Sequence, residues 1–180
     1  TLANYGLADS VTEINRLSAQ VARAIPGKHI VAGTMGPTKS PLSLSKGINA
    51  KTITDDYLEQ MQALTQGGVD YLLAETIQDP LNLRALLKAY DALKEKPPLA
   101  LSMTLESTGT LLAGPSVAAV MSMLQQRNLL YVGLNCATGP EFMTQELKRI
   151  AYEMPFPLAV SPNAGLPDQG GHYLETPELM

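Results

Sequence analysis

An α/β fold of repeated strand–helix units is what this 180-residue sequence predicts, and three observations predict it. Short apolar runs recur along the chain, each closed by small, polar or charged residues: HIVAGTMGP (29–37), DYLLAET (70–76), LALSMT (99–104), LLYVGLNC (129–136) and FPLAVSPNAG (156–165). Their starts lie 27 to 41 residues apart, room for a strand, a turn, a crossover helix and a second turn. The segments between them carry apolar residues at spacings of three and four, the helical period.

Taken in order, the first helix is predicted from the stripe Val11, Ile14, Leu17, Val21 and Ile25, and the second from Tyr57, Leu58, Met61 and Leu64. Leu83, Leu86, Leu87, Tyr90 and Leu93 mark the third, Val117, Val120, Met121 and Leu124 the fourth, and Phe142, Leu147 and Ile150 the fifth. All five stripes are read as core packing against a sheet. Thr54 before Asp55 and Asp56 is the expected N-cap of the second helix, while Pro80 and Pro140 suit first turns. Gly67 and Gly68 are expected to end the second helix, and Pro97 and Pro98 the third. No linker, low-complexity tract or charge run divides the chain, so residues 1–180 are read as one domain.

Composition excludes several classes of partner. A net charge of −4 with scattered lysines and arginines is no footprint for nucleic acid. No apolar stretch is long enough to span a bilayer, so no membrane partner is expected. The single cysteine rules out an internal disulfide framework and suits a reducing cytoplasm. The eight methionines are read as core filling.

Strand–helix units can build an open doubly wound sheet or a (β/α)8 barrel. No glycine-rich phosphate loop follows any apolar run, and each run ends on a different polar group: Thr34 and Thr38, Glu75 and Thr76, Thr104 and Glu106, Asn135 and Cys136, and Asn163. A barrel gathers such groups at one mouth, whereas an open sheet spreads them apart, so a partial barrel is predicted. About five parallel strands are present, with the first two and the last expected to be missing. The chain is read as an internal piece of a longer barrel with exposed edges.

Cys136 stands where an apolar run stops and a loop begins, the position at which barrels keep their chemistry. A lone cysteine is equally at home as a small buried hydrophobe. Glu75 follows YLLA directly, and a carboxylate at such a strand end calls for a cationic ligand, a hydrogen bond or water. Asn163, between Pro162 and Gly165, reads on its own as a turn residue. His29 is expected at the surface of the opposite barrel end, and His172 at most borders the mouth; neither has metal-ligand spacing to Cys136.

The motifs GTMGPTKS, DYLLAETIQDPLN, GLNCATGPE and SPNAGLPD, in this order and spacing, resemble the homocysteine-binding domain of the homocysteine S-methyltransferase family, most of all its cobalamin-dependent branch. That resemblance implies a zinc ion held by thiolates at the barrel mouth, with homocysteine bound through its sulfur. Cys136 matches the first zinc ligand, in the GxNC motif; the other two thiolates would come from an adjacent cysteine pair beyond Met180. Asn163 matches an asparagine that holds the fourth zinc position until homocysteine displaces it, and Glu75 the acid that receives the substrate's amino group. Asn135 and Thr104 fall on the substrate side, Asn135 chiefly bracing the Cys136 loop and Thr104 within a polar wall that includes Ser102, Ser107 and Thr108.

The resemblance further implies methylcobalamin as methyl donor, bound with folate by modules outside these residues, and betaine or S-methylmethionine as alternatives. The piece alone is expected to be inactive. Two other readings stay open: a noncatalytic barrel remnant completed by another chain, and a cysteine-nucleophile enzyme without zinc, for which no histidine is placed to activate Cys136.

Overall fold

The computed structural model describes residues 2–39 and 41–180; Thr1 and Ser40, the last residue of the GTMGPTKS motif, lie outside them. The five apolar runs form β1 (Ala32–Met35), β2 (Tyr71–Ile77), β3 (Leu99–Met103), β4 (Val132–Asn135) and β5 (Leu158–Ser161). They are joined into one parallel sheet in the order β1-β2-β3-β4-β5. Such an order has no reversal point, so crossovers of one hand place all intervening helices on one face and bend the sheet toward a barrel. The expected partial (β/α)8 barrel is the architecture found.

The helices are α1 (Val11–Arg23), α2 (Ala50–Gln66), α3 (Pro80–Ala92), α4 (Val117–Leu124) and α5 (Pro140–Ile150). On the helix side of the sheet Leu72, Ala74, Leu99, Leu101, Met103, Val132 and Leu134 are buried together with Tyr57, Met61 and Leu64 of α2, Leu83, Leu86 and Leu87 of α3, and Val117, Val120 and Leu124 of α4. Each of these larger side chains contributes about 1.5–3 kcal/mol by leaving water. The other sheet face, the side of the barrel interior, is more open: Tyr71, Glu75 and Tyr131 are half-buried and Thr34 is exposed.

Several local expectations are corrected. The α1 stripe is not core: Ile14, Leu17, Val21 and Ile25 are exposed, Val21 at 71%, and Ala19 is the buried residue of the helix. The cause is a close helix contact made on another side. A Cβ at Gly67 would come within 2.5 Å of the Ala19 Cβ and 2.6 Å of the Arg16 carbonyl, an approach only small residues allow. Thr12 and Gln60 add polar ties on that side, to Glu59 and Asn15. In α5, by contrast, the stripe faces the core as expected: Phe142, Leu147 and Ile150 are half-buried against it, on the same side as the buried Met143 and Glu146.

The N-cap of α2 is Asn49, whose Oδ1 accepts from the Lys51 N–H, and Thr54 lies inside the helix, donating to the Ala50 carbonyl. Asparagine caps at least as well as threonine, and it comes first. Gly67 and Gly68 end α2 as expected, Gly68 at φ +90°. Helix α3 starts at Pro80 as read, but stops at Ala92, where Leu93 is already extended, so Pro97 and Pro98 lead into β3 instead of stopping the helix.

Candidate active site at the carboxyl ends of the strands

Because the strands are parallel, Glu75, Thr104, Asn135, Cys136 and Asn163 all fall at the same, carboxyl, end of the sheet. Strand β2 ends irregularly. Ala74 pairs with Leu101 and Ile77 with Met103, so Glu75 and Thr76 together oppose Ser102 in a β-bulge. Thr76 takes φ +60°, a left-handed conformation that is an outlier for a β-branched residue and is maintained only where surrounding contacts impose it.

Those contacts come from Asn135. Its Oδ1 accepts from the Ser102 hydroxyl at 2.6 Å and from the Thr76 N–H at 3.3 Å, and its Nδ2 donates to Thr76 Oγ1 at 2.9 Å and to Cys136 Sγ at 3.0 Å. The Asn135 carbonyl accepts from Thr104 Oγ1 at 2.9 Å. Asn135, Ser102 and Thr104 are buried, so a fully satisfied polar network of this kind holds β2, β3 and β4 in one arrangement.

Past Asn135 the chain turns sharply. Cys136 and Ala137 both have positive φ, +57° and +59°, and the Cys136 thiol is exposed. The Cys136 N–H donates to the Ser161 carbonyl and the Asn163 N–H to the Thr138 carbonyl, both at 3.1 Å, which fastens the thiol loop to the end of β5 and brings half-buried Asn163 into the same rim. Glu75 is half-buried, and among the described residues no ion pair reaches it. Below it the Tyr71 and Tyr131 hydroxyls meet at 3.3 Å. Burial first, then the bond to Tyr71, and then the charges of Tyr71 and Glu75 raise the Tyr131 phenol well above the ordinary tyrosine range.

The loop after β1 is tied down from α3. The buried Asp79 carboxylate accepts from Ser43 N–H and Oγ, both at 2.7 Å, and caps α3 at Leu81; Asn82 accepts from the Leu42 N–H and donates to Thr38 Oγ1 at 2.6 Å. A hollow of about 350 Å³ between α1 and α2, bordered by Val11, Ile14, Gly36 and Tyr57, includes none of the strand-end residues Glu75, Cys136 and Asn163. His172 is exposed beside Asp168, and His29 is half-buried, with Nδ1 3.1 Å from the Gly27 carbonyl.

The fit to a zinc ion is one of kind. An exposed sulfur accepting an N–H suits a thiolate ligand with an outer hydrogen bond. Yet among the described residues no three of His, Cys, Asp and Glu converge, and a zinc site draws three or four protein ligands. The described residues of this chain therefore do not by themselves make a complete zinc site.

Comparison with known proteins settles the kinship. The model of the homocysteine S-methyltransferase family matches residues 1–180. The chain belongs to that family. It is 32% identical to a methionine synthase of Mycobacterium leprae (strain TN) over 98% of its length and 34% identical to one of Mycobacterium tuberculosis (strain ATCC 25618 / H37Rv) over 99%, while spanning only 15% and 16% of those relatives. The homocysteine methyltransferase MmuM of Escherichia coli shares the fold. Its apo form superposes with a TM-score of 0.72 at 23% identity, over 87% of this chain and 62% of that one. The metallated form gives 0.68 at 24%, over 91% and 62%.

For this family member, sequence patterns pick out Glu75, Asn135, Cys136 and Asn163 as strand-end residues but miss what links them. Thr76 has no assigned role, although its hydroxyl and N–H both bond Asn135. Asp79 was hidden behind Pro80, yet an aspartate before a first-turn proline is itself an N-cap signal.

Proposed function

We propose that this chain forms the homocysteine-facing part of a zinc-dependent methyltransferase site of the methionine synthase kind, with residues 1–180 acting as one barrel unit in a reducing cytoplasm. The observation that carries the proposal is the hydrogen bond from Asn135 to the exposed sulfur of Cys136, at a strand end of a chain matched over its whole length by the family.

In this role Cys136 supplies one thiolate to the metal and Asn163 a weaker amide oxygen. Glu75, carrying no ion pair of its own among the described residues, receives the ammonium group of homocysteine. Asn135 and Thr104 wall the substrate side and hold the loop. Zinc, when bound, would favour the thiolate of homocysteine over a thiol of pKa about 8.5, providing the nucleophile that accepts a methyl group to give methionine. The methyl donor is methylcobalamin, presented by cobalamin and folate modules outside these residues. With one thiolate and one amide, the chain alone holds zinc weakly and does not turn over.

The test uses a protein extended to the length of its methionine synthase relatives. Cys136→Ala should lose zinc and turnover, whereas Glu75→Gln should keep zinc and weaken homocysteine binding, exchanging a charged partner for a neutral one. Full zinc and normal activity in Cys136→Ala would refute the role of the thiolate.

A further inference from the structure

We propose that Thr76 and Asn135 form a rigid spacer that fixes the distance between Glu75 and Cys136, so that Thr76, sixty residues away in sequence, is a positioning residue for the Cys136 sulfur. The proposal rests on the functional reading above for its meaning, because Glu75 and Cys136 there hold the two ends of homocysteine, but its geometry stands without it.

The orientation of the Asn135 amide is dictated by its partners. The Thr76 backbone N–H can only donate, so the oxygen Oδ1 must face it, at 3.3 Å. Ser102 Oγ, at 2.6 Å from the same oxygen, then donates as well. With Oδ1 committed, Nδ2 has one N–H for Thr76 Oγ1 and one for Cys136 Sγ. A flipped amide would set its NH2 group against the Thr76 N–H and its oxygen against the sulfur. The Cys136 side chain therefore receives a donor whose direction is set from β2, and all four hydrogen-bonding positions of the buried amide are used.

The same two atoms of Thr76 impose its left-handed conformation, and that bulge decides where the preceding residue, Glu75, presents its carboxylate. Removing the hydroxyl of Thr76 thus loosens both ends of the spacer. Glu75→Gln changes a charge at one end and leaves the spacer intact.

Two measurements test this. Alkylation of Cys136 by iodoacetamide, compared between variants at one fixed pH, reports the placement of the sulfur and requires neither zinc nor homocysteine. Thr76→Val, which keeps the shape and loses the acceptor, should raise the alkylation rate about fivefold, as expected for losing one hydrogen bond, and Asn135→Ala at least as much. Thr76→Ser should restore the parent rate to within about twofold, and Glu75→Gln should not alter it. In the extended protein Thr76→Val and Glu75→Gln should both reduce the preference for homocysteine over 4-mercaptobutanoate, which lacks the ammonium group.

An alkylation rate in Thr76→Val within about twofold of the parent would overturn the proposal. Should circular dichroism show that variant unfolded, Thr76→Ala, which removes the same acceptor and places a smaller side chain at the positive φ, takes its place, and a rate unchanged there overturns it equally. Failure of the functional reading looks different: the variants would shift alkylation while zinc and homocysteine binding stayed indifferent to Cys136 and Glu75.

Discussion

The middle of the sheet and its first flank carry the same kind of pattern and reach opposite outcomes. Helices α2, α3 and α4 bury their apolar stripes against β2, β3 and β4, whereas the stripe of α1 stays open and the helix side of β5, Leu158 and Val160, is more than a third exposed. A helical period tells which residues share a face. It does not tell whether anything covers that face, and in α1 the contact with α2 is made by Ala19 against Gly67.

The largest expected effect would break that contrast if it were wrong. Leu86→Ala, at a fully buried position, should cost about 2–5 kcal/mol in chemical denaturation, while Val21→Ala on the open stripe should stay within about 0.5 kcal/mol. Equal costs at the two positions would mean that the α1 stripe is covered in solution.

A second test sharpens the comparison at the β5 margin. A Cβ at Gly133 would lie 2.6 Å from the Ala159 carbonyl, so Gly133→Ala should destabilise by about 1–3 kcal/mol, as overpacking does. Hydrogen exchange should quicken at the Val132 and Cys136 amides, which donate to Pro157 and Ser161, and stay slow in β2 and β3.

The smallest effect concerns the β1 margin. Asp70 accepts from the Val31 N–H and from Arg23, each at 2.6 Å; the backbone bond first, and the arginine second, hold its carboxyl below the usual range. A depressed folded value stabilises above the unfolded value of about 3.9 and is lost as pH falls through the folded one. Asp70→Asn should therefore be less stable than the parent at neutral pH, with the difference closing at the acid end. A gap that persists at low pH would point to a cause other than the carboxylate.

Much of the fold was legible because strand ends and helix faces are local properties of sequence. The five runs became the five strands, and Pro80 and Pro140 open α3 and α5. The start of α2 was misread at Thr54 because both Asn49 and Thr54 can cap and only the contacts of the folded chain choose between them. The candidate site was legible as separate residues. The bulge at Thr76, its positive φ and the Asn135 network were not, since they arise from register between strands sixty residues apart, and no periodicity within one strand encodes them.

The proposed role of Cys136 as a metal ligand is tested most directly by replacing zinc with cobalt(II) in the extended protein and reading the sulfur-to-cobalt charge-transfer absorption. Cys136→Ala should lose that band together with the bound metal, with Glu75→Gln leaving it at parent intensity. An undiminished band in Cys136→Ala would show that this sulfur never touches the metal.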